Sequence, residues 1–122
     1  MAEEKIRWRN FPLFLLEPLM KVATCGEKKH GTFTFLSNEY TVNDHMDALK
    51  RHLEAFENPF EDDRNMDDGG HLHIVHVAWR ALIIAFIMTY RKHLDDRIKR
   101  KDIEDAMAEE QVATKMSNPP QV

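Results

Sequence analysis

The sequence predicts an all-α protein, a bundle of about four helices, and three observations support this prediction. Apolar residues recur at steps of three and four in several segments, which is the spacing of one helix face. Gly and Pro are scarce, at 4 and 5 of 122 residues, which disfavours a fold rich in tight hairpins. A weakly alternating stretch over 32–40 has no second strand to pair with, so we interpret it as a loop with partly buried aromatic residues.

The length of 122 residues predicts one domain. We assign 1–10 as a polar lead-in and 11–115 as the helical domain. Residues 116–122 end in Pro-Pro-Gln-Val and are interpreted as a disordered tail.

The first helix lies in the segment that follows Pro12. Pro18 sits inside its apolar pattern and predicts either a kink or the first turn of a helix that starts near Glu17. Gly26 and Gly31 are expected to break or end this helix. The apolar positions are Leu13, Leu16, Leu19, Met20 and Ala23.

The second helix is predicted to be capped by Thr41 or Asn43 and to run to about Glu57, where Asn58-Pro59 stops it. Its apolar positions are Met46, Leu49, Leu53 and Phe56. An acidic loop over 58–70 follows and ends in two glycines.

The third helix is predicted from about His71 to about Tyr90 and is apolar almost all round, which is typical of a central element. It is too apolar for a lone four-helix domain, so we expect a homo-oligomer. Its apolar run over 74–90 is interrupted by His76 and Arg80 and is shorter than the roughly 20 residues that span a bilayer, so we interpret it as a buried helix without a membrane role. A fourth, charged helix is predicted from about Leu94 to Thr114.

The charge and the cysteine content narrow the class of protein. The formal net charge of -4 argues against binding to duplex nucleic acid, which needs a basic excess. The single cysteine, Cys25, allows no intrachain disulfide, and the first residues carry no apolar leader. We therefore expect a cytoplasmic protein, in the host cytosol if it is encoded by a phage.

Polar side chains of the second and third helices predict a site. Arg51 and His52 are adjacent in helix two, whereas His73, His76 and Arg80 share one face of helix three. If the helices pack antiparallel, the acidic loop lies at the end where helix three begins, with His52 more than a turn back. Such a site suits phosphoanhydride hydrolysis, which needs divalent ions and cationic side chains around a triphosphate.

Each of these features also has a structural interpretation. Acidic residues at helical spacing, such as Asp44 and Asp47, are typical of a solvated face, and an acidic loop is normally solvated too. Arg80 interrupts the most hydrophobic helix, where an unpaired charge would be costly. Alternatively, Arg80 forms a salt bridge to a carboxylate on helix two.

Three blocks resemble the phage dATP/dGTP diphosphohydrolase family. The first is Arg7-Trp8-Arg9-Asn10-Phe11-Pro12-Leu13 with the later Gly26-Glu27-Lys28-Lys29-His30-Gly31, the second is 48–56 (ALKRHLEAF), and the third is 68–78 (DGGHLHIVHVA). The family is similar to the MazZ enzymes of phages and is related to the MazG-like all-α pyrophosphatases. The resemblance implies a MazG-like helical bundle that is oligomeric and binds divalent metals through acidic residues. It also implies an enzyme that converts the purine nucleotides dATP and dGTP to monophosphate and pyrophosphate.

From the resemblance and the pattern together we predict a set of site residues. The catalytic residues are Asp68, His73 and His76. The substrate-binding residues are Lys29, Arg51, His52 and Arg80. The ligands of Mg²⁺ or Mn²⁺ are Glu27, Asp47, Glu61, Asp63 and Asp68.

The chain departs from the family pattern at two places. The Asn-Trp pair that the family shows soon after Gly31 is absent, and Phe33 and Phe35 lie there instead as candidates for stacking on a purine. The stretch between Ala55 and Gly70 is longer than usual. These departures support an alternative function, a non-catalytic oligomeric module that binds a nucleotide or a protein on the same scaffold. A phosphatase of the HD type is disfavoured because the chain has no adjacent His-Asp pair.

Overall fold

The computed structural model describes residues 3–37 and 39–117, and this part of the chain is mostly helical. Its α-helices are α1 (Glu17–His30), α2 (Val42–Glu57), α3 (His73–Tyr90) and α4 (Arg100–Ser117). Short 3-10 turns precede α1 and lie between the helices. The β pairing in the described ranges is a single antiparallel bridge between Arg64 and Leu72. The prediction of an all-α fold with about four helices is confirmed.

Helix α1 begins at Glu17 with Pro18 in its first turn, which confirms one of the two predicted alternatives. The prediction that Gly26 breaks the helix is wrong, because α1 continues through it to His30. A glycine inside a helix costs only about 1 kcal/mol relative to alanine and does not by itself stop the helix. The helix ends at Gly31, whose φ of +96° is accessible mainly to glycine.

Helix α2 begins with a capping box, which confirms Thr41 as its cap. The Asp44 carboxylate accepts a hydrogen bond from the Thr41 backbone N–H at 2.8 Å, and the Thr41 hydroxyl accepts one from the Asp44 N–H at 3.4 Å. Asp44 therefore stabilises the start of α2. The helix ends at Glu57, as predicted.

Helix α3 packs most extensively on α2 and less extensively on α1. The core between them contains Val42, Ile83, Ile87 and Leu94, all of which are buried. Leu94 lies in a 3-10 turn (Lys92–Leu94), and α4 begins only at Arg100, so the predicted start of the fourth helix at Leu94 is wrong. Leu94 is taken up by the core and is not part of the charged helix.

The part of α4 whose side chains are described is exposed throughout. The helix continues to Ser117, so the predicted tail at 116–122 overlaps its last two residues. The remainder of that predicted tail, 118–122, lies outside the described residues.

One face of α3 is left uncovered. Ile74 and Leu82 are 38% and 47% exposed, and Ala78, Ala81 and Ala85 lie at helical spacing between and beside them. The chain exposes 10295 Å² of surface, whereas a compact monomer of 14.4 kDa exposes about 6,800 Å². By length and composition α3 could also cross a membrane, a property that it shares with core helices of soluble proteins. Its polar residues His76 and Arg80 lie on the side that packs against α2.

Candidate functional site

Four histidines from α2, α3 and the preceding loop lie together, and we call them the histidine cluster: His52, His71, His73 and His76. The Nδ1 atoms of His52 and His73 are 3.0 Å apart, so one donates a hydrogen bond and the other accepts it. The His52 ring stacks on that of His76 with centroids 4.4 Å apart and planes 9° apart. The centroids of His71 and His76 are 6.0 Å apart.

His52 lies more than a turn back from the end of α2, as the sequence predicts. His52 is five residues from the end of α2, or about 7.5 Å along the axis. The loop over 58–72 covers this distance by folding back along α2. A backbone hydrogen bond from His73 N–H to the Asp63 carbonyl, at 2.8 Å, fixes the start of α3 beside His52.

Two histidines of the cluster, His52 and His76, have lowered pKa values, which favours their neutral form. Burial, together with the neighbouring His76 and His73 and the two nearby arginines, lowers the pKa of His52 to about 4. Burial also lowers the pKa of His76, although Asp68 acts in the opposite direction. A neutral imidazole keeps a lone pair that can accept a proton or orient a water molecule.

Asp68 lies at the tip of the acidic loop and faces both α1 and the cluster. Its carboxylate forms an ion pair with Lys29 and accepts a weak hydrogen bond from the Cys25 thiol at 3.6 Å. The hydrogen bond from Lys29 lowers the pKa of Asp68, so this carboxylate is ionised. Since Asp68 also acts on the pKa of His76, the loop tip and the histidine cluster belong to one site.

The tip of the loop depends on glycine. Gly69 has a φ of +77°, and a Cβ there would lie 3.0 Å from the His71 ring and 3.2 Å from the Cys25 sulfur. A larger residue at this position would push the loop away from α1. The glycine therefore allows the close approach that brings Asp68 to Lys29.

The two arginines predicted to bind substrate are electrostatic neighbours. Arg80 donates from Nη1 to Nδ1 of His45 at 2.9 Å, so the alternative of a salt bridge to a carboxylate on helix two is wrong. Burial lowers the pKa of Arg80, and Arg51 lowers it further because the two like charges are close. Arg51 itself is exposed on α2. The two positive groups therefore lie close together. Among the described residues, no carboxylate forms a salt bridge with Arg80.

The other predicted metal ligands lie at different places. Glu27, Asp47, Glu61 and Asp63 are all exposed. Glu27 lines a cleft, and Asp63 contributes its backbone carbonyl to the start of α3. Within residues 3–37 and 39–117, no three side chains of His, Cys, Asp or Glu are arranged to hold a metal ion. The proposed ligand set therefore remains a prediction.

A cleft of about 890 Å³ lies between α1, the segment over 31–40 and α3, and we call it the aromatic cleft. Its volume is in the range of sites that bind small molecules. The Phe35 ring packs edge-on against Trp79 with centroids 5.2 Å apart, and His45 and Arg80 also line the cleft. The aromatic residues in the lining are Phe33, Phe35, Tyr40, Trp79, Phe86 and Tyr90.

Sequence reasoning missed His45 and Trp79. His45 is 1% exposed and lies three residues after Val42 and three before Ala48, both buried. A histidine at an apolar position of an amphipathic helix was the available signal. Trp79 precedes Arg80 in a helix that is apolar throughout, so its sequence context gave no such signal.

Comparison with known proteins adds one result. A family model described as "dATP/dGTP diphosphohydrolase, N-terminal" matches residues 1–97. The matched range contains the histidine cluster, Asp68 and the aromatic cleft, and it ends before α4. No curated protein and no solved structure matches the chain.

Proposed function

The chain belongs to the dATP/dGTP diphosphohydrolase family, and on that premise we propose that it is an enzyme that hydrolyses purine deoxynucleoside triphosphates to monophosphate and pyrophosphate. One observation supports this proposal above the others. An ionised carboxylate, Asp68, is paired with Lys29 and lies beside the histidine cluster and near Arg80, which is itself close to Arg51. This is the combination of groups that hydrolysis of a charged phosphoanhydride needs.

In the proposed reaction a water molecule attacks the α-phosphorus of the nucleotide. The bond from that phosphorus to the oxygen bridging to the β-phosphorus breaks, and pyrophosphate leaves with the bonding electrons. The monophosphate keeps the oxygen of the water. His73 and His76 orient the water, and an imidazole of the histidine cluster accepts its proton.

The cationic residues would hold the triphosphate. Arg51 is exposed and Lys29 is nearly half exposed, so both can reach a ligand. Arg80 is held in place by its hydrogen bond to His45. His52 is fixed between His73 and His76 and would donate or accept at the edge of the same pocket. Together these groups would offset charge that builds up on the phosphates.

We further propose that Mg²⁺ or Mn²⁺ takes part. Mg²⁺ is usually bound by one or two carboxylates together with the phosphates of the substrate, so it does not require a preformed cluster of three protein ligands. Asp68 fits this role, with Glu61 or Asp63 of the same loop as further donors. The ion would supply charge neutralisation on the triphosphate.

The uncovered apolar face of α3 supports the proposal of a homo-oligomer. A second copy would remove that surface from water. Sedimentation of the purified chain would test this part of the proposal, and a monomer at micromolar concentration would reject it.

A panel of nucleotides tests the proposed activity. The chain is incubated with dGTP, dATP, dCTP and dTTP in Mg²⁺ or Mn²⁺, and the products are separated. We expect monophosphate and pyrophosphate from the purine nucleotides. Release of no monophosphate from any of the four would reject the proposal.

The alternative, a non-catalytic module on the same scaffold, is favoured by the departures from the family pattern after Gly31 and in the acidic loop. Calorimetry would distinguish the two. Because a triphosphate binds these ions by itself, they are titrated into the chain without nucleotide, and a module without activity should take up neither Mg²⁺ nor Mn²⁺. The enzyme should bind at least one ion per site under the same conditions.

A further inference from the structure

The segment over 5–16, which we call the N-terminal arm, is rich in large apolar residues that its own chain leaves exposed. Trp8 and Phe14 are 73% and 72% exposed, and Phe11 is 50% exposed. Within the described ranges, the short turn over 8–10 packs extensively on none of the helices. Monomeric soluble proteins rarely expose large contiguous apolar patches, so the arm has the character of a binding surface.

The arm does not fill the aromatic cleft of its own chain. The α1 wall of that cleft extends from Met20 to Gly31, and no residue of the arm lies in its lining. Leu16, with φ -83° and ψ -7°, and Glu17, with φ -53° and ψ -44°, both have helical backbone angles. The last turn of the arm therefore leads directly into α1, and its direction is away from the cleft.

The aromatic cleft offers a surface of the same character. Leu82 and Tyr90 in its α3 wall are exposed, as is Phe33 on the opposite side. Leu82 and Ala85 also belong to the uncovered face of α3, so the cleft and that face form one continuous apolar surface. The same chain thus carries an exposed apolar segment and an exposed apolar groove.

We propose that the N-terminal arm of a second copy of this chain docks in the aromatic cleft, and that the two copies exchange arms about a two-fold axis. Such an exchange is symmetric, because each copy gives one arm and receives one. From the exposure of its three aromatic residues, each arm would remove roughly 300–500 Å² of aromatic surface from water. With both arms and both clefts, the exchange buries roughly 1,200–2,000 Å², which is the size of a stable protein interface.

The charges of the chain agree with a second copy as the occupant. Lys5, Arg7 and Arg9 form no salt bridge within the described ranges, and the arm contains no acidic residue. The whole chain has a net charge of -4, and Glu27 lies in the cleft lining. A basic arm is therefore attracted to the acidic body of another copy.

This inference rests on the homo-oligomer of the proposed function and assigns its interface, but it does not depend on hydrolysis. Arg80 lies in the wall of the same cleft. Trp8 of the second copy would thus complete a wall of the pocket that contains a proposed substrate-binding residue.

Tryptophan fluorescence tests the exchange. The chain has two tryptophans, so Trp79→Phe leaves Trp8 as its one indole. We expect the emission of Trp8 to shift to shorter wavelength as the protein concentration is raised and sedimentation shows association, because the exposed indole enters the cleft. An oligomer in which Trp8 keeps the emission of an exposed indole would overturn the exchange and retain the oligomer. A chain that stays monomeric would overturn both.

A matched pair of variants tests the contribution of the arm. Trp8→Ser should weaken association of the otherwise unchanged chain at least tenfold, because a buried tryptophan is a typical hot spot of an interface. Phe60→Ser, at an exposed aromatic residue outside the arm and the cleft lining, should leave association unchanged. Equal effects of the two changes would contradict the proposal.

Mixing two variants tests whether the cleft receives the arm. Leu82→Asp impairs the cleft of one chain, and Trp8→Ser impairs the arm of the other. A pair of identical variants keeps neither contact intact, whereas a mixed pair keeps one. We expect the mixture to associate more tightly than either variant alone, and equally weak association would overturn the proposal. If Leu82→Asp does not fold, as judged by circular dichroism, the fluorescence and the comparison of Trp8→Ser with Phe60→Ser decide the question.

A lipid surface is the other occupant that basic and aromatic residues could suit. Vesicles of anionic phospholipid are therefore added to the Trp79→Phe chain at a concentration where it is monomeric. The proposal expects no shift of the Trp8 emission. A shift with vesicles, combined with no shift on raising the protein concentration, would overturn the exchange in favour of a membrane surface.

Discussion

Mild acid should destabilise this protein at pH values above those at which most carboxylates are protonated. The cause is His52, which is neutral and packed between other histidines. The pKa of His52 is about 4 in the folded chain, and an unperturbed histidine has a pKa of about 6.5. The unfolded chain therefore binds more protons than the folded chain between these values. The contribution to stability is complete above pH 6.5 and is lost as the pH falls towards 4.

The size of the effect follows from the two pKa values. At pH 5 the linkage gives a loss of about 2 kcal/mol relative to neutral pH. His52 is only half-buried, so solvent screening reduces this figure, and we expect about 1 kcal/mol. The pKa values of His45 and His76 are lowered as well, so the whole protein should lose more than His52 alone accounts for.

Urea unfolding at pH 7 and pH 5, at one protein concentration, measures this loss. The variant His52→Gln removes the titrating group, so its loss between the two pH values should be smaller by about 1 kcal/mol. The control is His30→Gln, at an exposed histidine in the last turn of α1, which should show the same loss as the unchanged protein. If His52→Gln and the unchanged protein lose equal stability, the assignment of the lowered pKa to His52 is refuted.

Three further predictions concern activity, the core and a helix cap. Asp68→Asn should lower the turnover of dGTP by about 10- to 100-fold, whereas Asp67→Asn, one residue away in the same loop, should not; equal effects would contradict the proposed role of Asp68. Ile87→Ala should lower the free energy of unfolding by about 2–4 kcal/mol, because Ile87 is 1% exposed in the core, and a change below 1 kcal/mol in urea denaturation would show that the site is not packed as described. Thr41→Ala should cost about 1 kcal/mol through loss of the capping box, measured by thermal unfolding, and an unchanged midpoint would argue against that cap.

The second helix shows how much of the fold can be predicted from the sequence. Its cap at Thr41, its apolar spacing and its end at Asn58-Pro59 are local features, and each is confirmed. The first helix was predicted less well, because the rule that glycine interrupts helices takes no account of the good helix formers Glu27, Lys28 and Lys29 that follow Gly26. The start of the fourth helix was also misplaced, since Leu94 is drawn into the core by contacts with residues far away in the chain.

The candidate site was predicted in part. Asp68, His73 and His76 could be singled out because they form a short motif at the junction of a loop and a helix. The contact of His52 with His73 depends on how far the loop folds back along α2, and the ion pair between Asp68 and Lys29 depends on the position of α1. Neither distance is encoded in a local pattern.

The sequence by itself determined the helical class, the ends of the second helix and the family, because periodicity, capping residues and motifs act over a few neighbouring positions. Only the tertiary structure decided that Arg80 pairs with His45, that Glu27 faces the aromatic cleft, and that one face of α3 remains uncovered. The partner of a buried polar group is the group that packing brings within hydrogen-bond distance. That choice is made by the whole set of contacts between helices, and no short stretch of the chain contains it.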